Sequence, residues 1–192
     1  MVLPGAVLFP GTMMPLYIFE ERYRAMLARA LDSERMFCIA LMKPGVTEAE
    51  TTDEFHHISG LGLVRACVGR DDGTSHLILQ GLGRVRFTGF EQAAPFRIAS
   101  LQALPDEQGD SESTDQLRTK VLRLCARMHK KGVAVPEEFE AQLDKIPNAG
   151  QLTDVVAHTY LSDSFQKQEL LEEPNIETRM ELLVRHLTAA LK

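Results

Sequence analysis

The sequence is poor in cysteine and contains no tryptophan. Its 192 residues include three cysteines, which are widely spaced and form no Cys-x-x-Cys pair, so neither a disulfide framework nor a zinc site is indicated. No run approaches the ~18 consecutive apolar residues of a membrane-spanning helix. The start has no basic segment followed by an apolar core, so it does not resemble a secretory signal. We therefore expect a soluble cytoplasmic protein with reduced thiols and no membrane contact.

An excess of positive charge is also lacking. The sequence has 27 acidic and 21 basic side chains, a net charge of −6 with neutral histidines. This balance argues against a protein whose main partner is nucleic acid. The chain is long enough, and at 44% hydrophobic residues apolar enough, to bury a core in one or two domains.

Motifs for catalysis are missing as well. There is no Gly-Lys dipeptide, hence no phosphate-binding loop, and no Gly-x-Ser-x-Gly nucleophile turn. Gly60–Gly62 and Gly81–Gly83 each lack the third glycine of a dinucleotide site, so we interpret them as corners of a sheet. His56 and His57 have no second ligand at metal spacing. We predict no catalytic residue, no cofactor and no metal.

The strongest positive signal is a β pattern over Ser59–Phe90. Two apolar runs flank Gly69–Thr74, whose Asp-Gly pair supplies the positive φ of a hairpin turn. The first run changes phase, which indicates either a bulge or a strand buried on both faces, as in a small closed barrel. Gly81–Gly83 predicts a tight turn, and Arg84–Thr88 then alternates as a further strand.

The remaining elements divide the chain into two halves. Before the hairpin, the apolar pattern predicts a short or edge strand near the start, strands at 13–18 and 36–42, and a helix at 20–31; after it, a strand at 96–104. An acidic stretch without Lys or Arg, residues 106–116, predicts a solvated linker. Apolar stripes at helical spacing predict a bundle beyond it.

Three phrases in combination resemble a known family. Val7–Gly11 (VLFPG), Pro15–Tyr23 (PLYIFEERY) and the Gly60–Phe87 hairpin are similar to the N-terminal substrate-binding domain of Lon proteases. They resemble in particular the free-standing proteins that carry this domain without the ATPase and peptidase domains. The resemblance covers nearly the whole chain. It implies an α+β fold: a PUA-like antiparallel β pseudo-barrel over 1–105, an acidic linker over 106–116 and a helical bundle over 117–192.

The resemblance also implies a function. It predicts a non-catalytic module that recognises unfolded or exposed polypeptide segments, with a separate protease or chaperone as a second candidate partner and the oligomeric state left open. We predict that Met13, Met14, Tyr17 and Phe19 form the binding surface, because this stretch has more apolar side chains than one strand face can bury. The alternative is that both methionines pack under the helical half.

A basic segment supports a different hypothesis. The helix predicted at 117–131 carries six cations and no acid: Arg118, Lys120, Arg123, Arg127, Lys130 and Lys131. This favours either a solvated face, balanced by acidic residues before and after it, or a surface for RNA, anionic lipid or an acidic partner. Since PUA-like barrels are also used for RNA, an RNA-binding protein is the alternative function, although fold alone does not fix function.

Overall fold

The computed structural model describes residues 1–92, 94–109, 111–136 and 138–192. It divides into two compact units, Met1–Leu104 and Pro105–Lys192. The described part of the first unit holds all the strands and one α-helix, and that of the second holds five α-helices. The fold is therefore α+β, with its helical part at the C-terminal end. Among the described residues, no helix has the length and apolar character needed to cross a membrane.

The first unit is built on a six-stranded sheet. The helix α1 spans Glu21–Leu31; the strands are β1 Val2–Leu3, β2 Met13–Ile18, β3 Met36–Leu41, β4 Ile58–Gly69, β5 Ser75–Gln92 and β6 Ile98–Leu104. Their order is β1-β3-β4-β5-β2, and β6 also pairs with β5. All pairs are antiparallel except β1 with β3, where Val2 lies opposite Ala40 in parallel register. The sheet is thus mixed, which corrects our prediction of an antiparallel sheet.

The predicted hairpin is confirmed as β4 and β5. Gly69 lies opposite Ser75, and Gly73 has φ of 81°, the left-handed conformation that glycine adopts without strain. The pairing of β4 with β5 shifts register at two places. At Val64/Ala66 the extra residue, Arg65, is in β4, so the change of phase in β4 arises from a bulge.

The predicted turn at Gly81–Gly83 is wrong, because β5 continues through it. A Cβ on Gly60 would overlap the carbonyl oxygen of Leu8, and one on Gly81 that of Phe9. These two glycines are needed because the buried segment Val7–Phe9 passes directly against the sheet.

The core of the first unit explains why β2 and α1 lie where they do. Helix α1 buries the apolar stripe of Tyr23, Met26, Leu27 and Ala30. These side chains pack with Leu8 and with the inward residues of the sheet, among them Ile18, Ile39, Val64, Leu77 and Leu79. The core thus fixes which face of β2 points inward.

The second unit is a set of five helices. They are α2 Ser111–Lys130, α3 Phe139–Leu143, α4 Ala149–Tyr160, α5 Ser164–Glu172 and α6 Ile176–Ala190. Asn148, Asp163 and Asn175 cap α4, α5 and α6, since each side chain accepts a backbone N–H of the first turn. Helix α2 begins within the stretch that we predicted as linker, so residues 111–116 are helical. Asp110 of that stretch and Glu137 lie outside the described residues.

A buried arginine lies at the centre of the second unit. The side chain of Arg179 on α6 is fully buried, and its Nη1 donates to Asp106 Oδ1 at 2.9 Å and to the carbonyl oxygen of Glu173 at 2.9 Å. Its Nε lies 3.7 Å from the buried carboxylate of Asp154 on α4. The cation therefore joins α4, α6 and the segment before α2.

Candidate functional site

Strand β2 alternates between solvent and core. Met13, Pro15 and Tyr17 are exposed, while Leu16 is half-buried and Ile18 is buried. This alternation is expected for a strand whose one face packs on the core.

The structure brings three of the four predicted binding residues together and separates the fourth. Met13, Tyr17 and Phe19 are 48%, 43% and 59% exposed, and the rings of Tyr17 and Phe19 stack with centroids 5.6 Å apart. Met14 is half-buried on the opposite face, packed against the core. Of the four, Met14 is the one that cannot contact a ligand on the exposed face.

The hairpin adds further apolar side chains to the exposed face. In the register of β2 and β5, Tyr17 lies opposite His76 and Pro15 opposite Ile78, while Val68 of β4 lies on the other side of His76. The rings of Tyr17 and His76 stack at 4.7 Å. Val68 and Ile78 are exposed by 67% and 37%. We call the following set the outer face: Met13, Pro15, Tyr17, Phe19, Val68, His76 and Ile78.

Sequence reasoning missed Val68, His76 and Ile78. Alternation within the hairpin strands marks them as candidates for exposure. Their position beside Tyr17 depends, however, on the register of three strands, and the bulge at Val64/Ala66 shifts that register by one residue. The sequence pattern alone does not locate such a bulge.

The outer face adjoins a free strand edge. Within the part of the chain that the structure describes, β2 pairs with β5 alone. Gly81 donates its N–H to Thr12 and accepts that of Gly11, so odd-numbered residues of β5 direct their backbone groups toward β2. The even-numbered residues of β5 lie opposite Met13, Pro15 and Tyr17. The backbone N–H and C=O groups of these three β2 residues therefore point away from β5. Pro15 contributes only a carbonyl oxygen, because proline has no N–H.

The hairpin tip is ordered by its own side chains. Thr74 donates both its hydroxyl, at 2.7 Å, and its backbone N–H, at 2.9 Å, to Asp72 Oδ1. The hydroxyl bond and then the backbone bond lower the pKa of Asp72, because they stabilise the carboxylate. This fixes the turn that sets the pairing of β4 with β5.

The described residues provide no site for a metal ion. They include no group of three His, Cys, Asp or Glu side chains arranged to hold one. The ring of His57 instead lies 2.8 Å from the carbonyl oxygen of Thr52 through Nε2.

The basic helix α2 has two kinds of cation. Arg118 donates to the carbonyl oxygens of Leu143 and Asp144, and Lys131, just after the helix, donates to that of Leu191. The other four are exposed: Lys120, Arg123, Arg127 and Lys130. These exposed cations recur every three or four residues, so they lie on one face of the helix.

Comparisons with known proteins agree on one family. The model of the ATP-dependent protease La (LON) substrate-binding domain matches residues 1–189. The Lon protease of Desulfosudis oleivorans is 25% identical over 193 residues, covering 100% of this chain and 24% of that protein. The Lon protease of Dictyoglomus thermophilum is 24% identical over 190 residues, covering 99% and 24%. The chain thus spans about a quarter of the length of these relatives.

Two solved structures share the fold. The N-terminal domain of Mycobacterium avium complex Lon protease superposes with a TM-score of 0.74 at 14% identity, over 98% of this chain and 96% of that one. A Lon N-terminal domain protein from Xanthomonas campestris gives 0.66 at 18% identity, over 96% and 95%. Since the family model covers nearly every residue, the chain belongs to the LON substrate-binding domain family.

Proposed function

We propose that this chain binds extended apolar segments of unfolded or exposed polypeptides on the outer face and free edge of β2, without itself catalysing a reaction. One observation carries the proposal: Met13, Tyr17 and Phe19 are exposed together at an edge strand that has no second strand partner among the described residues. Large apolar side chains grouped on a surface mark interaction sites.

The geometry suits strand addition. An extended segment laid along β2 would accept the N–H groups of Met13 and Tyr17 and donate to the carbonyl oxygens of the edge. These backbone bonds are independent of sequence, whereas the exposed rings favour apolar side chains. Recognition would therefore depend on extension and apolar character rather than on one motif.

The family supports the same kind of ligand. Its model is described as a substrate-binding domain of a protease, and substrates of a protease are polypeptides. Hydrolysis of ATP and of peptides belongs to the full-length relatives, of which this chain matches about a quarter. Delivery of bound segments to a separate protease or chaperone is part of the proposal.

Binding of a labelled, permanently unfolded polypeptide, followed by fluorescence anisotropy, tests the proposal. Tyr17→Asp and Phe19→Asp should each weaken binding at least about tenfold, because a charge would be desolvated where an apolar contact was made. Phe165→Asp is the matched control, since Phe165 is 42% exposed in the other unit. Equal affinities for all four proteins would overturn the assignment.

Salt separates this function from RNA binding. Apolar contacts and backbone bonds should change little from low to high salt, whereas binding to phosphates through α2 would weaken steeply. If the protein binds RNA at low salt only and does not bind the unfolded polypeptide, RNA binding is the favoured function.

Met13 and Met14 make the sharpest pair of variants. Met13→Asp should weaken polypeptide binding and leave the free energy of unfolding within about 0.5 kcal/mol, as for most surface substitutions. Met14→Asp should instead lower that free energy by about 2 kcal/mol, because the carboxylate would be placed against the core. Urea unfolding of both variants measures the difference, and two equal losses of stability would show that Met13 is not a surface residue.

A further inference from the structure

We propose that a second site in the Met1–Leu104 unit, a cleft separate from the outer face, binds an aromatic side chain that stands beside a carboxylate in a polypeptide. The inference rests on the proposed function and adds a preference for one class of substrate side chain. The cleft encloses about 370 Å³.

The cleft lies where the two ends of the sheet approach each other. Val2 of β1 lines it from one end, and Ala99 and Leu101 of β6 line it from the other. Met26 and Arg29, on the second half of α1, form a third wall. None of its lining residues belongs to the outer face, so the two sites can be altered independently.

Its interior is aromatic. Phe55, Phe87 and Phe90 form a cluster in which the Phe55 ring meets the other two edge-on, at centroid distances of 6.1 and 5.8 Å. Phe55 and Phe87 are buried, whereas Phe90 is half-buried, so the cluster has a closed base and an open side. An incoming aromatic ring could join it in the edge-to-face or offset arrangement that such rings prefer.

The rim is apolar and adaptable. Met36 and Leu101 line the cleft and are 36% and 43% exposed. Methionine has a flexible and polarisable side chain that makes favourable contacts with aromatic rings. The volume is near the lower end of small-ligand sites, which suits one bulky side chain with its neighbour rather than a folded surface.

The charges of the cleft favour an anion beside the ring. Arg97 is held in place because its Nη2 donates to the carbonyl oxygens of Ala49 and Glu50, and its guanidinium lies 5.4 Å from the centroid of Phe55. Arg29 lines the same cleft. The charge of Arg97 also acts on Glu54, which does not line the cleft. Against these two cations stands one acidic lining residue, Glu34. A carboxylate next to the bound ring would therefore be attracted to the cleft.

The absence of tryptophan from the protein gives a direct measurement. In blocked peptides that contain Trp-Asp, the emission of the peptide tryptophan alone reports its transfer from water to the cleft. We expect a saturable blue shift with Trp-Asp peptides. In competition against Trp-Asp, an Ala-Asp peptide should bind at least about tenfold more weakly and a Trp-Asn peptide about threefold more weakly. The affinities of a peptide that ends in a free C-terminal Trp and of one with an internal Trp-Asp are then compared. The tighter binder shows whether the carboxylate comes from the chain end or from a side chain.

Two matched substitutions locate the site. Ala99→Phe should fill the cleft and weaken Trp-Asp binding at least about tenfold, whereas Gln102→Phe, on an exposed position of the same strand that does not line the cleft, should not. Arg29→Gln should remove the preference for Trp-Asp over Trp-Asn.

The outer-face variant Tyr17→Asp separates the two proposals. If Trp-Asp binding survives Tyr17→Asp and is lost in Ala99→Phe, the cleft is the site. If it is lost in Tyr17→Asp alone, the outer face holds the ring and the cleft inference is overturned, while the proposed function stands. If the unfolded polypeptide does not bind the unaltered protein, the proposed function fails whatever the short peptides do. Binding of the short peptides that neither substitution affects would overturn the cleft inference.

Discussion

The two units treat apolar side chains differently. Of the nine large hydrophobic residues exposed in the described part of the chain, eight lie in the Met1–Leu104 unit and one, Phe165, in the Pro105–Lys192 unit. The helical unit directs its apolar stripes inward and even buries the cation of Arg179. The sheet unit leaves rings and methionines in contact with water. Because grouped exposed apolar side chains are typical of interaction surfaces, this difference is the reason we propose the binding site in the sheet unit.

The largest effect should come from the buried cation of the helical unit. Arg179→Met would remove the ion pair with Asp106 and the cation that lies 3.7 Å from the buried Asp154, and should lower the free energy of unfolding by about 3–5 kcal/mol. Urea unfolding measures the loss. Adding Asp154→Asn should restore part of the loss, because the buried carboxylate nearest to the removed cation would then be neutral. If Asp154→Asn restores nothing in the Arg179→Met background, Arg179 and Asp154 are not coupled.

A smaller effect is expected where the N-terminal segment crosses the sheet. Gly81→Ala should lower the stability by about 3 kcal/mol, because the new methyl group would overlap the carbonyl oxygen of Phe9. Gly83→Ala is the control, since a Cβ there meets no atom within 4 Å. Thermal unfolding compares the two variants, and similar melting temperatures would mean that the segment can move away from β5.

The smallest effect should depend on pH and arise in the helical unit. Burial, and then the charge of Lys167, lowers the pKa of His158, whose Nδ1 is buried without a hydrogen-bond partner in the described residues. Because the folded state disfavours the protonated ring, the contribution of His158 is present above about pH 6.5 and is lost as the pH falls through the lowered pKa.

The variant His158→Gln tests that pH dependence. It should show a shallower fall in melting temperature between pH 7.5 and pH 5 than the unaltered protein. Equal slopes would mean that other groups cause the loss of stability in acid.

Local patterns of the sequence predicted the elements well. The hairpin was predictable because Gly73 closes a turn between two apolar runs, and α1 because its buried residues recur at helical spacing. The prediction at Gly81–Gly83 failed because Gly81 is required for the close approach of Phe9. Phe9 lies more than seventy residues earlier in the chain, in the segment that crosses the sheet. A local pattern does not distinguish a turn from a close approach.

The exposed face of β2 was predictable only in part. The stretch that contains Met13, Tyr17 and Phe19 was marked by its excess of apolar residues, but the prediction did not separate Met14, which is half-buried on the inward face. Alternation alone allows either face of β2 to point inward. The core residues contributed by distant elements decide between them. The cleft was not predicted, because its walls come from both ends of the sheet and from α1.

Pro15 has a consequence for how the protein behaves at high concentration. If two copies met edge to edge along β2 in antiparallel register, Met13 of one would face Tyr17 of the other, and the two prolines would face each other at the centre. That central pair would form no hydrogen bond, since neither proline has an N–H to donate. A foreign segment with an ordinary residue at the same place could still donate to the Pro15 carbonyl oxygen. The edge of β2 is therefore less suited to pairing with a second copy of itself than with another chain. This counters fibre-like self-association although the edge remains available for binding.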